Sequence, residues 1–280
     1  MKKIVSIFSF LILISCQNFG QLNIITDLPK TLSEVSGTEI VPKSDLIWMI
    51  NDGGNKPTLF GLNSKGKIKK EIYIKAKNHD WEDLTSDENG TIYIGDFGNN
   101  LNRRKNLSII IVEQNELDEK NAEVDEIEFE YPDQNKFPPK KKDRYFDTEA
   151  FFYFNKNLYI LTKSRVKGNY GKTTLYKIPA KKGTYTAEIV DDYENCKDLE
   201  CWITSADISP NGKKVALLSQ RNVLIFSDFK GDKFLSGKVR KIDLSHRSQK
   251  ESITFKNNNT ILISDEKAHG KGGNLYELKL

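Results

Sequence analysis

Acidic side chains recur at the start of five similar segments, and their type suits them to metal or acid–base chemistry. The opening acids of the segments are Glu34, Glu82, Glu149, Asp207 and Glu251. A second polar position follows each segment, at Asp52, Asp96, Lys163, Ser219 and Asp265. Carboxylate oxygens are ligands that Ca²⁺ prefers. The eight acids in these two sets are therefore candidate metal ligands.

Several carboxylates at one place create an electrostatic problem that allows more than one solution. Two like charges 4 Å apart repel by about 4 kcal/mol at an effective dielectric of 20. The acids must therefore protonate, pair with cations such as Lys163, or hold a metal. Neutral oxygens from Asn51, Asn99 and Asn100 would complement a calcium site. Structural capping of backbone amides, a calcium site and catalysis all stay open at this point.

The densest polar cluster covers residues 78–83 and 95–103. Together with two residues further along the chain, it supplies the candidate ligand contacts Asp80, Trp81, Asn99, Asn100, Arg103, Lys163 and Arg165. His79 is a candidate general base, because an imidazole changes protonation near neutral pH. The chain contains no Gly-x-Ser-x-Gly, P-loop or His-Glu-x-x-His motif, so nothing in it supports a serine nucleophile.

The five segments are repeats of one strand–turn–strand unit, and the repeats must position these acids. Asn-Gly and Asn-rich turns join the two strands, and the second strands are nearly continuous apolar runs. Such strands are covered on both faces. With the strands that follow, each repeat predicts a four-stranded meander, and the chain an all-β propeller of five blades. A degenerate blade within Ile92–Phe146 would make six.

A propeller places its acids by symmetry. The innermost strand of each blade lines the central channel, so the opening acids are expected to converge on one mouth. The fifth repeat has only three strands, ending at Leu275–Leu280. We expect the N-terminal segment Leu22–Thr26 to supply the fourth strand and close the ring.

Several longer motifs resemble a family of bacterial lipoprotein β-propellers common in Bacteroidetes. The matching segments read DWED, IYIGDFGNN, TEAFFY, LYILTKSR and ITSADISPNGKKVALLS. This family is similar to phytase-like and esterase-like propeller domains. The resemblance implies calcium held by mouth acids, with Glu82, Asp96 and Glu149 in those positions. The chain departs from phytases in lacking a dense Lys/Arg phosphate clamp.

The N-terminus has the layout of a secretory signal. Two lysines precede a short apolar run that ends in Leu13-Ile14-Ser15-Cys16, and this ending resembles the bacterial lipobox. The expected organisation is a signal peptide at 1–15, a lipidated Cys16 with a tether at 16–21, and one propeller domain at 22–280. A lipid would anchor the protein to a membrane without spanning it. Gln17 in place of Asp favours the outer membrane, on either face.

Charge and cysteine usage narrow the classes of partner. Without the signal lysines the net charge falls from +4 to +2, and the positive charge is dispersed, so a nucleic-acid partner is not expected. Cys196 and Cys201 predict a small disulfide in an oxidising compartment, since no further ligands for zinc follow at suitable spacing. We expect a monomer that binds a small molecule or a protein at the channel mouth.

Two functions follow from this sequence. The first is an envelope-anchored binding propeller that holds a ligand, ion or partner at an acidic mouth, with Ca²⁺ as the one candidate cofactor. The alternative is a calcium-dependent hydrolase of phosphate esters or lactones. The sequence leaves open whether the protein is an enzyme, because no activated nucleophile or base pair is recognisable.

Overall fold

The computed structural model describes residues 19–280, which form a five-bladed β-propeller. Cys16 and the signal segment lie outside the described residues. Within residues 19–280, no helix is long and apolar enough to cross a membrane. The short 3-10 turns in this range are Lys30–Leu32, Gln114–Asp118, Lys141–Asp143, Leu199–Cys201 and Phe234–Ser236.

The strands follow the chain blade by blade. The N-terminal strand is β1 (Asn23–Asp27). Blade one contains β2 (Val35–Ile40), β3 (Ile47–Asn51), β4 (Thr58–Leu62) and β5 (Ile68–Ile74). Blade two contains β6 (Trp81–Ser86), β7 (Ile92–Asp96), β8 (Leu107–Val112) and β10 (Asp125–Glu130). The short strand β9 (Asn121–Ala122) lies between β8 and β10 in the chain but pairs with blade one.

The remaining blades have the same antiparallel order. Blade three contains β11 (Asp147–Phe154), β12 (Asn157–Lys163), β13 (Lys172–Pro179) and β15 (Glu188–Glu194). Strand β14 (Gly183–Thr186) precedes β15 in the chain but pairs with blade two. Blade four contains β16 (Ser205–Ile208), β17 (Lys214–Leu218), β18 (Asn222–Ser227) and β19 (Lys238–Asp243). Blade five contains β20 (Lys250–Asn257), β21 (Thr260–Asp265) and β22 (Asn274–Lys279).

The N-terminal strand closes the ring, as predicted. Strand β1 pairs antiparallel with β22 and becomes the outer strand of blade five. The predicted count of five blades is confirmed, since the stretch Ile92–Phe146 contributes ordinary strands to blade two and one short strand to blade one. Two blades gain a fifth strand: β9 pairs parallel with β5, and β14 pairs parallel with β10.

Local chemistry explains the hairpins that join the inner strands to their partners. Gly90 and Gly212 have positive φ angles of 95° and 67° in two of these turns, a conformation that glycine adopts without steric cost. In blade three, Asn155 and Lys156 take φ angles of 48° and 64°. Positive φ at both central residues is the geometry of a type I′ hairpin turn.

The hydrophobic core is divided into five clusters, one between each pair of neighbouring blades. Trp48 of blade one and Trp81 of blade two, for example, pack in the same cluster and are both buried. The second strand of each blade is covered on both faces by this arrangement, which explains its continuous apolar sequence. The polar inner strands are left to line the channel.

Candidate functional site

One mouth of the channel opens into a cavity of about 260 Å³, which we call the mouth cavity. Its lining is almost entirely polar and comes from all five blades. The lining residues are Ser36, Asp52, Glu82, Asn100, Glu149, Lys163, Arg165, Trp202, Gln220, Gln249, Glu251 and Glu266.

β-Bulges aim the inner-strand side chains into this cavity. In four inner strands the register shifts by one residue near the start, which leaves Ser36, Glu82, Glu149 and Glu251 as the extra residues. A bulge bends the strand and redirects the side chain of the extra residue. Strand β16 of blade four pairs without a shift. The described bulges therefore place one polar side chain from each of the other four blades at the mouth.

Two predicted members of the acidic ring lie elsewhere because of this register. Asp207 sits beyond the middle of β16, and its carboxylate accepts the backbone N–H of Phe255, near the opposite mouth. Relative to the paired second strand, Asp207 therefore lies further along its inner strand than the opening acids of blades two, three and five lie along theirs. Glu34 is exposed at the rim, where Asn55 Nδ2 donates to it at 2.7 Å. Ser36 occupies the position in blade one that Glu34 was expected to hold.

Three carboxylates converge at one side of the mouth. Asp52, Asp80 and Glu82 each offer an oxygen, and these oxygens all lie within 4.8 Å of one another. We call these residues the carboxylate trio. Glu82 is only 7% exposed. Among residues 19–280, no hydrogen-bond donor or cation contacts the side chain of Glu82 or Asp80.

Burial and repulsion from neighbouring carboxylates raise the pKa values of all three carboxyls of the trio. Burial, followed by the charges of Glu149 and Asp52, raises the pKa of Glu82 well above its usual range. Burial also raises the pKa of Asp52 to about 6, against the stabilising N–H of Gly53. The pKa of Asp80 is raised mainly by burial. A bound divalent cation would relieve the cost of ionising all three.

Two glycines make room for the trio. A Cβ atom on Gly98 would lie 2.1 Å from Glu82 Oε1 and 2.4 Å from Asp80 Oδ2. A Cβ atom on Gly53 would lie 2.6 Å from Asp80 Oδ1. Gly53 lies in the segment NDGG and Gly98 in the segment DFGNN. The backbone therefore approaches the carboxylates so closely that only glycine fits.

The cations of the mouth are engaged by other acids. Lys163 Nζ lies 2.8 Å from Glu149 Oε2, and Arg165 Nη2 lies 3.0 Å from Glu149 Oε1. Arg165 also pairs with Asp147 and contacts Asn100. Glu149 is thus paired with two cations, whereas no cation of residues 19–280 forms an ion pair with the carboxylate trio; Arg104 and Lys163 act on it only from a distance.

Asp96, a predicted metal ligand, organises the loop beneath the trio instead. Its Oδ1 accepts Arg104 Nη2 at 2.8 Å and the backbone N–H of Asp80 at 3.1 Å. Its Oδ2 lies 2.8 Å from Nδ1 of His79. The His79 side chain is half exposed and does not line the mouth cavity. Asp96 is 2% exposed and is not among the residues that line the cavity.

Four other predicted residues also stand outside the cavity. Trp81 is fully buried between blades one and two, and its Nε1 donates to the carbonyl of Lys77. Arg103 is exposed, and the adjacent Arg104 makes the inward contacts. Asn99 is buried, and its side chain accepts the N–H of Arg104. The fully buried Asp265 accepts the hydroxyl of Tyr276 and the backbone N–H of Asn274.

Other residues line the mouth although no pattern in the sequence marked them. Trp202 lies at the cavity wall with Lys163 Nζ 5.1 Å and Arg165 Cζ 4.8 Å from its ring. Glu266 also lines the cavity, together with the predicted Glu251; burial raises the pKa of Glu266 to about 7 and that of Glu251 to about 8. Glu266 directly follows Asp265, the polar residue that ends the fifth repeat. This adjacency is the one feature of the sequence that could have identified it.

A disulfide joins Cys196 and Cys201 next to this wall. It closes the short turn that carries Trp202 into the mouth. The covalent loop restricts the backbone on one side of the indole. On the other side, Trp202 Nε1 donates to the carbonyl of Ser164 at 2.6 Å.

Comparison with known proteins identifies the class of fold. The PQQ-bound aldose sugar dehydrogenase from Streptomyces coelicolor aligns with a TM-score of 0.50 and 11% identity over 92% of this chain and 97% of that one. A gluconolactonase from Xanthomonas campestris aligns with a TM-score of 0.48 and 12% identity over 88% and 72%. Virginiamycin B lyase from Staphylococcus aureus gives 0.44 and 14% over 90% and 68%.

At 11% identity the likeness to the sugar dehydrogenase shows a shared fold and nothing about the reaction. No protein-family model matches the chain, and no curated protein matches it in sequence. The protein is therefore a β-propeller with a polar, acid-rich channel mouth.

Proposed function

We propose that this propeller is a binding protein whose acidic mouth holds a divalent cation, with Asp52, Asp80 and Glu82 as the protein ligands. The observation that carries the proposal is the convergence of three carboxylates with which no described cation forms an ion pair. Uncompensated buried carboxylates are costly. A divalent ion supplies two positive charges at the point where three negative charges meet.

The donor set suits Ca²⁺. Calcium accepts six to eight oxygens in flexible geometry, and carboxylates bind it with one or both oxygens. Ser36 contributes a further oxygen to the same cavity, and its hydroxyl is buried without a hydrogen-bond partner among the described residues. A cation with open positions at the mouth would in turn bind the oxygens of a small polar ligand.

The cellular setting is part of the same proposal. The lysine pair, the apolar run and the lipobox that ends at Cys16 support export and lipid anchoring in the cell envelope, as in the bacterial lipoprotein propellers that the motifs resemble. Incorporation of labelled palmitate into the full chain, lost in Cys16→Ser, tests this. Equal labelling of both proteins would contradict it.

Thermal melting with and without calcium tests the cation site. Compared with excess EDTA, calcium at about 100 times its dissociation constant should raise the free energy of unfolding by roughly 2.7 kcal/mol. This corresponds to an increase on the order of 5 to 10 °C in Tm. Glu82→Gln should abolish this gain. The same variant should melt higher than the wild type in EDTA, because glutamine avoids the free-energy cost of burying or protonating the Glu82 carboxyl.

The matched control is Glu34→Gln, which changes an exposed rim acid outside the trio. It should leave the calcium response unchanged. A calcium shift of equal size in Glu82→Gln and wild type, or no shift in the folded wild type, would exclude the site. Isothermal titration of the same proteins gives the stoichiometry, which should be one ion per chain.

The hydrolase alternative stays a prediction with its own test. Turnover of generic phosphomonoesters and lactones is measured with the calcium-loaded protein and with EDTA. Calcium-dependent turnover that Glu82→Gln removes without unfolding would support an enzyme. Absence of turnover, with calcium bound, would leave a binding protein.

A further inference from the structure

A second cavity lies beside the mouth, at the junction of blades four and five. It has a volume of about 640 Å³ and is open to solvent, and we call it the side cleft. Gln220 and Gln249 line both the side cleft and the mouth cavity. The two cavities therefore share a wall and open on the same face of the propeller.

Basic groups dominate the walls of the side cleft. They are Arg221, Arg247, Lys271, His246 and His269. Of the two acids in the lining, Glu200 pairs with Arg247 at 3.3 Å, and Asp243 accepts the backbone N–H and the hydroxyl of Ser245. Within the described chain, Lys271 and His269 form no ion pair. Arg221 Nη1 lies 3.5 Å from the exposed carboxylate of Asp198, which is not part of the lining. The cations of the cleft therefore outnumber the acids of its own lining.

A buried lysine stands directly behind this wall. Lys250 is completely buried, and its Nζ donates to the Ser248 hydroxyl at 2.8 Å and to the carbonyl of His246 at 3.1 Å. No carboxylate of residues 19–280 forms an ion pair with it. Burial lowers its pKa to about 8, so the ammonium form still predominates at pH 7. The carboxylate of Asp265 acts to raise the pKa of Lys250 and accepts the Ser248 hydroxyl; the ammonium itself stands at the wall of the cleft.

Lys250 also fixes the hydrogen-bonding role of His246. The third contact of Nζ is His246 Nδ1 at 3.1 Å. Burial and the charge of Lys250 lower the pKa of His246, so the imidazole is neutral at pH 7. With Nδ1 accepting from the ammonium, Nε2 carries the proton. His246 is then a neutral donor on the wall of a basic cleft.

We propose that the side cleft is a second binding site, which takes an anionic group of the carboxylate or phosphate class through Arg221, Lys271 and His246. The three residues combine two cations and a neutral N–H donor, the usual complement of oxyanion recognition. The proposal does not depend on the cation site, because none of the carboxylate trio lines the cleft. An anionic ligand is repelled by the mouth acids and attracted here.

Imidazole NMR signals give a direct readout, because the chain contains three histidines. The protein is stripped of cations, freed of chelator by dialysis, and titrated with inorganic phosphate and, separately, with malonate. The His246 and His269 signals should shift saturably, while the His79 signal stays in place. The double variant Arg221→Gln/Lys271→Gln should weaken binding at least about tenfold, the 1.4 kcal/mol that one lost charge-assisted contact supplies.

The controls separate this site from the cation site. Lys120→Gln removes an exposed charge from the outer part of blade one and should change nothing. Glu82→Gln should retain the phosphate response. The proposal is overturned if the folded wild type shows no saturable shift up to about 10 mM anion, if all three histidines shift together, or if Glu82→Gln loses the response.

Discussion

At the residue scale, the site depends on where single side chains fall relative to four bulges. Glu82 and Glu251 look equivalent to Asp207 in the sequence, because each acid opens a repeat. The bulge exists only in the register of paired strands, so it leaves no mark on the repeat itself. Asp207 therefore belongs to the far end of the channel, and Ser36 takes the place of an acid in blade one.

The glycine beside the trio gives a residue-scale prediction. In Gly98→Ala the new methyl group meets Glu82 Oε1 and Asp80 Oδ2 at 2.1 and 2.4 Å. The two carboxylates must separate, and we expect calcium affinity to fall at least about tenfold, or 1.4 kcal/mol. Isothermal titration with calcium measures the change.

Gly54→Ala is the control for this substitution. Gly54 has a φ angle of 83° and open space around its Cα, so alanine adds only backbone strain of roughly 1 kcal/mol. It should lower Tm while leaving calcium affinity intact. Equal affinity in Gly98→Ala and Gly54→Ala would show that the trio does not hold the ion.

At the element scale, the strands and their order were predictable, and the extra strands were not. Each repeat carried its own hairpin turn and apolar second strand, so local sequence was sufficient for the four-stranded blades. The parallel additions β9 and β14 join a blade other than the one in which their chain neighbours pair. Their two- and four-residue segments have no periodic signal, because pairing with a distant edge determines them.

Ring closure by β1 gives a prediction at this scale. Leu22, just before β1, is 4% exposed in the cluster between blades four and five, whereas Ile24 on the strand is 42% exposed. Leu22→Ala should lower the free energy of unfolding by about 2 to 5 kcal/mol. Ile24→Ala should change it by less than about 0.5 kcal/mol.

Urea denaturation followed by tryptophan fluorescence measures both variants. If β1 closes the ring, the loss in Leu22→Ala appears as an earlier single transition of the whole domain. A separate early transition, or equal losses in the two variants, would mean that β1 contributes little to the ring.

At the scale of the whole molecule, buried acids extend through the channel to both ends. Glu39 and Asp207 face each other near the far mouth. Burial raises the pKa of Asp207 to about 7, and burial and Asp207 raise that of Glu39. Together with the mouth acids, these groups have carboxyl pKa values that are higher in the folded protein than in the unfolded chain.

This pattern sets the sign of the pH dependence. A carboxyl with a raised folded pKa contributes stability that is complete below its unfolded value near 4 and is lost as pH rises through the folded value. In EDTA the Tm should therefore fall as pH rises from about 5 to about 8, the window set by Asp52, Asp207 and Glu251. Thermal melts across this range test it.

Glu39→Gln isolates the far mouth. Its two partners are the hydroxyls of Ser86 and Thr254, at 2.7 and 3.0 Å, which can reverse their roles and accept from the amide. At pH 8 the free energy of unfolding of the variant should exceed that of the wild type by roughly 1 kcal/mol or more, which raises Tm by about 2 to 4 °C. At pH 5 the two proteins should differ little. The exposed Glu119→Gln should follow the wild type. If the Tm of Glu39→Gln fell with pH in parallel with that of the wild type, Glu39 would not be a source of the pH dependence.

The sequence by itself determined the five blades, the closing strand and the polar lining of the channel, because hairpin turns, apolar runs and repeat spacing are local properties. It also marked Asp52, Asp80 and Glu82 as polar residues near one mouth. Only the tertiary structure decided which acids meet there. Bulge register, backbone approach at Gly98 and the pairing of Lys163 and Arg165 with Glu149 arise between strands distant in the chain. These contacts leave the carboxylate trio without an ion-paired cation.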